Sequence, residues 1–104
     1  MAIHNIFRGL GIALITPFTT QGEVDYKALA HLVEYQITNG ADFLCILATT
    51  AEAPCLTKEE KDKITELIKT VDNRRIPILK YWGGNNTQAV IEEIKSTDWS
   101  GIDG

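Results

Sequence analysis

One stretch near the middle of the chain most constrains the fold, because an apolar run passes directly into a loop of small residues and then into a helix start. Residues 43–47 form the apolar run, which predicts a buried strand. The loop that follows holds Thr49 and Thr50 between alanines. Thr57 and Glu60 then have the spacing of a capping box, in which each residue's side chain accepts from the other's backbone N–H. Together these segments predict a βα unit, and ligands bind at such loops in α/β folds.

The same unit recurs on both sides of this stretch. Residues 10–15 and residues 76–79 are short apolar runs that predict a first and a third strand, and the first is suited to a strand covered on both faces. The polar segment before Ile102 and the isoleucine itself hint at a fourth strand. Three loops therefore fall at the carboxyl ends of strands, at residues 16–23, 48–56 and 80–86.

Apolar residues at helical spacing follow each of these loops and predict three helices. Asp25 is placed to cap the first helix, and Asn39-Gly40 is placed to end it. The second helix is expected from about residue 58 to residue 71, and the third from near Thr87. The side chains expected to point inward are Leu29, Leu32, Val33 and Ile37 in the first helix, Ile64, Leu67, Ile68 and Val71 in the second, and Val90, Ile91 and Ile94 in the third. Strands that alternate with helices indicate parallel strands in an α/β fold.

Length and composition bound the function. The chain has 104 residues, enough for a single domain, and its 44% hydrophobic content is sufficient for a core. A net charge of −4 argues against nucleic-acid binding. The apolar run at residues 10–18 contains Pro17 and is too short to span a membrane, and no signal peptide is evident, so we expect a cytoplasmic protein. The two histidines and two cysteines lack metal-site spacing, so we expect no metal and no cofactor.

Two groups at the strand ends could carry chemistry, and each has a structural alternative. Free backbone N–H groups around Thr49 and Thr50 could hold a carboxylate, or the pair could simply end a strand by β-propensity. Lys80 precedes Tyr81 and Trp82. An amine beside aromatic rings can have a lowered pKa and act as a nucleophile, or it can extend past them to water.

Six short segments give the chain a resemblance to a known family. They are residues 11–18 (GIALITPF), 39–43 (NGADF), 49–52 (TTAE), 56–60 (LTKEE), 75–77 (RIP) and 83–87 (GGNNT). In this order, they resemble the N-terminal part of the dihydrodipicolinate synthase and N-acetylneuraminate lyase family. The resemblance implies a (β/α)₈ barrel, usually a homotetramer, of which residues 1–104 would form the first three βα units.

The resemblance also implies a reaction and roles for individual residues. The family condenses pyruvate with aspartate semialdehyde in lysine biosynthesis, through a Schiff base on a lysine of a later strand. By position, Thr49 matches a threonine that relays protons, and Thr50 matches one that holds the pyruvate carboxylate. Asn85, with Ala53 and Lys58, falls near a site where some members bind lysine as an inhibitor.

The chain departs from the family pattern in three respects. Ala48 and Ala51 replace the two glycines of the usual Gly-Thr-Thr-Gly-Glu loop, and residues 80–82 are bulky where the family has small residues near the barrel mouth. The expected Schiff-base lysine and the catalytic tyrosines lie outside the 104 residues. We therefore expect a fragment that is inactive alone. The alternative is a non-catalytic or engineered α/β module that self-associates or complements a barrel piece, because three units leave sheet edges open.

Overall fold

Strands and helices alternate along residues 6–104, the part of the chain that the computed structural model describes. The elements are β1 (Gly11–Ala13), α1 (Tyr26–Thr38), β2 (Phe43–Ile46), α2 (Lys58–Asp72), β3 (Ile78–Lys80) and α3 (Thr87–Ser96). The three strands form one parallel sheet in the order β1-β2-β3. The predicted (βα)₃ arrangement with parallel strands is therefore confirmed.

The core lies on one side of this sheet, which we call the helix face. Its side chains are Ile12, Leu14, Leu44, Ile46 and Ile78. Leu44 and Ile46 of β2 are fully buried there, against Val33 of α1 and Ile68 of α2. Because α1 and α2 also pack on each other, the helix face has a continuous apolar cover.

The opposite side of the sheet, which we call the open face, carries Gly11, Ala13, Phe43, Cys45 and Leu79. Gly11 and Ala13 are exposed, so the prediction that the first strand is covered on both faces is wrong. The Phe43 ring lies over Gly11, where a Cβ atom would clash with it. Cys45 is half-buried, and this burial raises the pKa of its thiol. In a closed barrel this face would line the interior.

Capping residues fix the helix ends as the sequence predicts. The Asp25 side chain accepts a hydrogen bond from Ala28 N at 2.9 Å, and α1 ends at Asn39 before Gly40, whose φ is +101°. Thr57 and Glu60 form the predicted capping box, with reciprocal bonds of 3.1 and 2.8 Å. These bonds satisfy backbone donors that the first turn of a helix leaves free.

The third helix does not bury its apolar stripe as predicted. Val90 is half-buried, but Ile91 and Ile94 are 39% and 36% exposed. The reason is that α3 packs closely on none of the other described helices and strands, so these side chains have little apolar surface to cover them. In contrast, the predicted inward residues Ile64 and Ile68 of α2 are buried.

Residues 102–104 lie along the outer edge of β3 without forming an assigned strand. Asp103 N donates to Ile78 O, and Lys80 N donates to Gly104 O, both at 2.9 Å. The Asp103 carboxylate also accepts from Ile78 N at 2.9 Å and pairs with Arg74 at 3.1 Å. The hint of a fourth strand near Ile102 thus corresponds to an extended segment that covers this edge.

The third strand begins two residues later than predicted, because the segment before Ile78 has another hydrogen-bonding partner. Ile76 N donates to the Asp72 carboxylate at 3.1 Å, and Pro77 has no N–H to donate. Asp72 is only 1% exposed, and burial raises the pKa of its carboxyl. Asp72 therefore connects the end of α2 to the start of β3.

We expect Asp72→Ala to destabilise the chain by about 1–3 kcal/mol, because the Ile76 N–H loses its acceptor. Asp72→Asn is the matched control, since an amide oxygen still accepts this bond.

The raised pKa of the Asp72 carboxyl also predicts a pH dependence, because ionisation of Asp72 removes stability as pH rises through the pKa of the folded state. The Asn variant should therefore gain stability relative to wild type as pH rises above the ordinary aspartate pKa of about 4. Urea unfolding followed by circular dichroism measures both effects, and equal losses in the two variants would disprove the role of the hydrogen bond.

Candidate functional site

Thr49 and Thr50 follow β2 after two intervening residues, on a single 3₁₀ turn formed by Thr49–Ala51. A second 3₁₀ turn, Ala53–Cys55, follows before α2 begins. Both threonines are exposed, whereas Ala51 is only 2% exposed. The short turn thus presents two adjacent hydroxyl groups at the carboxyl edge of the central strand, where the sequence predicted a loop.

Residues with left-handed backbone conformations lie on both sides of this turn. Leu47 has φ of 56°, and Glu52 has φ of 58°. Such angles cost a residue with a side chain about 1–3 kcal/mol and persist only when the surroundings enforce them. Leu47 is 4% exposed within the core, and Glu52 N donates to Thr49 O at 2.9 Å. Strain of this kind is concentrated at functional sites, and here it lies on either side of the two threonines.

The two alanines that replace family glycines fit this backbone. Ala48 has φ of −84° and ψ of −173°, an extended conformation that any residue adopts. Neither Ala48 nor Ala51 is among the residues with positive φ. The alanines therefore add methyl groups without straining the turn.

Thr16 holds the turn from the neighbouring loop, a role that the sequence analysis did not predict. Its hydroxyl donates to Ala51 O at 2.7 Å, and the side chain is 7% exposed. The bond joins the loop after β1 to the turn after β2, across 35 residues of sequence. A hydroxyl residue just before Pro17, at the end of an apolar run, was the available signal.

The turn leaves polar groups free to bind a ligand. Within residues 6–104, neither the backbone N–H groups of Thr49 and Thr50 nor their hydroxyls take part in a hydrogen bond. A group of N–H and O–H donors on a fixed turn can hold a carboxylate or a carbonyl oxygen. The turn therefore presents the kind of donors that the carboxylate-binding interpretation of this pair requires.

Lys80 lies elsewhere than the sequence suggested. It is the last residue of β3 and shares the helix face with Ile78, so it points away from the open face and the expected barrel mouth. The lysine lines a cavity of about 840 Å³ between α2 and α3, and its Nζ lies 4.8 Å from the centre of the Trp82 ring. Burial lowers the pKa of Lys80. Thr49 borders the same cavity, and Thr50 does not.

The three residues proposed for an effector site do not all line this cavity. Ala53 and Lys58 line it, whereas Asn85 is exposed in the loop before α3 and is not part of the lining. The neighbouring Asn86 has a structural role, because its side chain accepts from Ala89 N and caps α3.

Residues 6–104 contain no cluster of three or more His, Cys, Asp or Glu side chains suited to a metal. No helix in this range has the length and apolar character needed to cross a bilayer.

Comparison with known proteins gives a consistent result along the chain. The dihydrodipicolinate synthetase family matches residues 6–104. The chain is 55% identical over 101 residues to the 4-hydroxy-tetrahydrodipicolinate synthase of Phocaeicola vulgatus, covering 97% of this chain and 34% of that protein. It is 51% identical over 96 residues to the synthase of Parabacteroides distasonis. The chain spans about a third of the length of the curated relatives it matches.

Solved structures agree with the sequence comparison. The dihydrodipicolinate synthase of Thermotoga maritima superposes with a TM-score of 0.82 at 34% identity, over 86% of this chain and 30% of that one. The N-acetylneuraminate lyase of Mycoplasma synoviae superposes with a TM-score of 0.77 at 25% identity, over 88% of this chain and 31% of that one. Because the family match covers nearly all of the chain and the fold agrees with it, this chain belongs to the dihydrodipicolinate synthetase family.

Proposed function

We propose that this chain forms the first three βα units of a lyase that condenses pyruvate with aspartate semialdehyde through a Schiff base. The observation that carries the proposal is the Thr49-Thr50 turn, whose donors bond to no atom of residues 6–104, in a chain whose relatives are named 4-hydroxy-tetrahydrodipicolinate synthases. The Schiff-base lysine is supplied by chain beyond these 104 residues. The compartment consistent with this role is the cytoplasm.

The two threonines take different roles in this proposal. Thr50, with the free N–H groups of the turn, holds the pyruvate carboxylate by charge-assisted hydrogen bonds. Thr49 passes protons between the reacting atoms and groups supplied by the rest of the barrel, because a hydroxyl both donates and accepts. Thr16 acts as a positioning residue, since its bond to Ala51 O fixes the turn. Asn85, exposed beside α3, is the residue of this chain that an effector would contact.

The test compares the chain alone with a chimera. In the chimera, the chain replaces the matching N-terminal third of the Phocaeicola vulgatus synthase. We expect no condensation of pyruvate with aspartate semialdehyde by the isolated chain, and measurable synthase activity by the chimera. The reason is that the host segment supplies the missing catalytic groups while this chain supplies the threonine turn. Turnover is followed by a coupled assay of the product.

Two outcomes would contradict the proposal. One is synthase turnover by the isolated chain, since it would place the Schiff-base amine within these residues. The other is a chimera that assembles like its parent and traps pyruvate on the host lysine but does not turn over. The trapping control separates a chimera that has not folded from one whose threonine turn does not serve the reaction.

A second candidate function is a non-catalytic module that associates with itself or with a complementary barrel piece. The open face favours it, because within residues 6–104 Gly11 and Ala13 are exposed there and Phe43, Cys45 and Leu79 are only half-buried. Sedimentation of the isolated chain tests this hypothesis. Self-association requires a species larger than one chain, and a folded monomer over a wide concentration range would exclude it.

A further inference from the structure

We propose that Lys80 is a nucleophilic amine that captures small neutral aldehydes or ketones in the cavity between α2 and α3. Thr49 of the proposed pyruvate-binding turn borders this cavity and Thr50 does not, but the amine lies on the helix face of β3 and its chemistry differs from that of the turn. Nothing in the proposed function requires it, because the synthase reaction uses a lysine outside these residues. Whether the chimera is active therefore has no bearing on this inference.

The cavity has the size and walls of a small-molecule site. Its volume of about 840 Å³ lies within the usual range of ligand pockets, roughly 300–1,000 Å³. One wall is α2, the other is the end of α3, and residues 80–84 lie between them. Apolar groups of Leu47, Pro54 and Trp82 border it, so the body of an aldehyde or ketone would find apolar contacts near the amine.

Lys80 differs from two other lysines that line the same cavity. Lys58 is paired with Asp62 at 3.0 Å, and Lys69 is paired with Glu66 at 2.9 Å. No ion pair or side-chain hydrogen bond of residues 6–104 includes Lys80, which lies instead over the Trp82 ring. An amine without an anionic partner keeps its lone pair available once it loses a proton.

The surroundings of Lys80 act on its protonation in opposite directions. Burial lowers its pKa, which increases the fraction of neutral amine, the form that attacks a carbonyl. The face of the Trp82 ring favours the ammonium form and offsets part of this effect.

The side chains that line the cavity carry equal numbers of positive and negative groups. The four lysines are Lys58, Lys61, Lys69 and Lys80, and the four carboxylates are Asp62, Glu66, Glu93 and Asp98. This balance gives no net attraction for an anion and favours a neutral ligand.

The reaction needs only the amine and the carbonyl compound. The nitrogen lone pair attacks the carbonyl carbon, and the oxygen takes up a proton to give a carbinolamine. Loss of water then leaves a carbon–nitrogen double bond to Lys80. The step is reversible and involves no change of oxidation state. Cyanoborohydride added in the experiment delivers hydride to the imine and fixes the adduct as a secondary amine.

The test compares the lysines of the folded chain with one another. The chain is treated with propanal and cyanoborohydride for short times at pH 6 to 9, and the labelled positions are mapped by mass spectrometry of peptides. Lys63 is the matched reference, because its Nζ also lies over an aromatic ring, 4.4 Å from the centre of Tyr26, but it is exposed. We expect Lys80 to react faster than Lys63 near neutral pH, because burial lowers the pKa of Lys80 and leaves more of it as the neutral amine.

Variants and a second probe sharpen the result. Lys80→Arg should remove the fast adduct, whereas Lys63→Arg should leave it. Pyruvate replaces propanal to test selectivity, and the ratio of Lys80 to Lys63 labelling should be lower for the anionic probe. Labelling of Lys80 no faster than Lys63 in the folded chain would overturn the proposal. A higher ratio with pyruvate would overturn the preference for neutral ligands. If Lys80→Arg does not fold, the comparison within the wild-type chain still decides.

Discussion

Thr49→Val is expected to lower the kcat of the chimeric synthase about a hundredfold or more, because a positioned proton-transfer group contributes about 10²–10⁴ to the rate. Valine keeps the shape of threonine but cannot donate or accept a proton. The turn should survive the change, since the side chain is exposed and its hydroxyl bonds to no atom of residues 6–104. Initial rates at saturating pyruvate and semialdehyde measure the effect.

Thr50→Val and Thr20→Val are the controls for this experiment. Thr50→Val should mainly raise the KM for pyruvate, because the proposed role of Thr50 is to hold the carboxylate. Thr20 is exposed in the loop after β1, and its loss should change neither constant. A Thr49 variant with nearly wild-type kcat would rule out the relay. The same loss of kcat in all three variants would indicate a general defect in folding.

Leu44→Ala should destabilise the isolated chain by about 2–5 kcal/mol, the usual cost of truncating a buried leucine. Leu44 is 0% exposed in the central strand, between β1 and β3, and both α1 and α2 cover its face of the sheet. A domain of this size has a total stability of only about 5–15 kcal/mol, so this loss would remove much of it. Urea unfolding followed by circular dichroism gives the change in free energy of unfolding.

Ile15→Ala is the control for Leu44→Ala. Ile15 is 52% exposed, so its truncation should change the free energy of unfolding by no more than about 0.5 kcal/mol. If the helix face is the core, the two substitutions differ widely. Similar losses would mean that in solution the open face is covered as well, for example by a second chain.

The sequence predicted the features of the fold that depend on local chemistry. The Asp25 cap, the Thr57–Glu60 capping box and the end of α1 before Gly40 each depend on residues within one turn of the helix. Parallel pairing followed from the alternation of elements, and the order with β1 and β3 at the edges followed from the resemblance to a barrel family. These features were predictable because they need no knowledge of distant contacts.

Features that depend on distant contacts were not predicted. The apolar stripe of α3 indicated burial, but Ile91 and Ile94 are exposed because no neighbouring element covers them. Lys80 was expected near a barrel mouth, but it follows Ile78 by two residues in β3 and therefore lies on the helix face. Side chains alternate along a strand, and which of the two faces the helices cover depends on distant contacts.

In the candidate site, too, local features were predictable from the sequence and distant contacts were not. The position of Thr49 and Thr50 after an apolar run was evident from the sequence, and their presence on one exposed turn agrees with it. The bond from Thr16 to Ala51 joins residues 35 positions apart, and no spacing rule indicates it. The left-handed conformations of Leu47 and Glu52 were likewise unexpected, because both residues ordinarily avoid them.

The segment that lies along β3 makes the two edges of the sheet unequal. Residues 103 and 104 already bond to the outer side of β3, whereas β1 forms the other edge. Within residues 6–104, β1 is therefore the edge of the sheet at which a further strand would pair first. In a closed barrel the last strand occupies that place, so the chain has one edge already lined by its own backbone and one that a distant strand would complete.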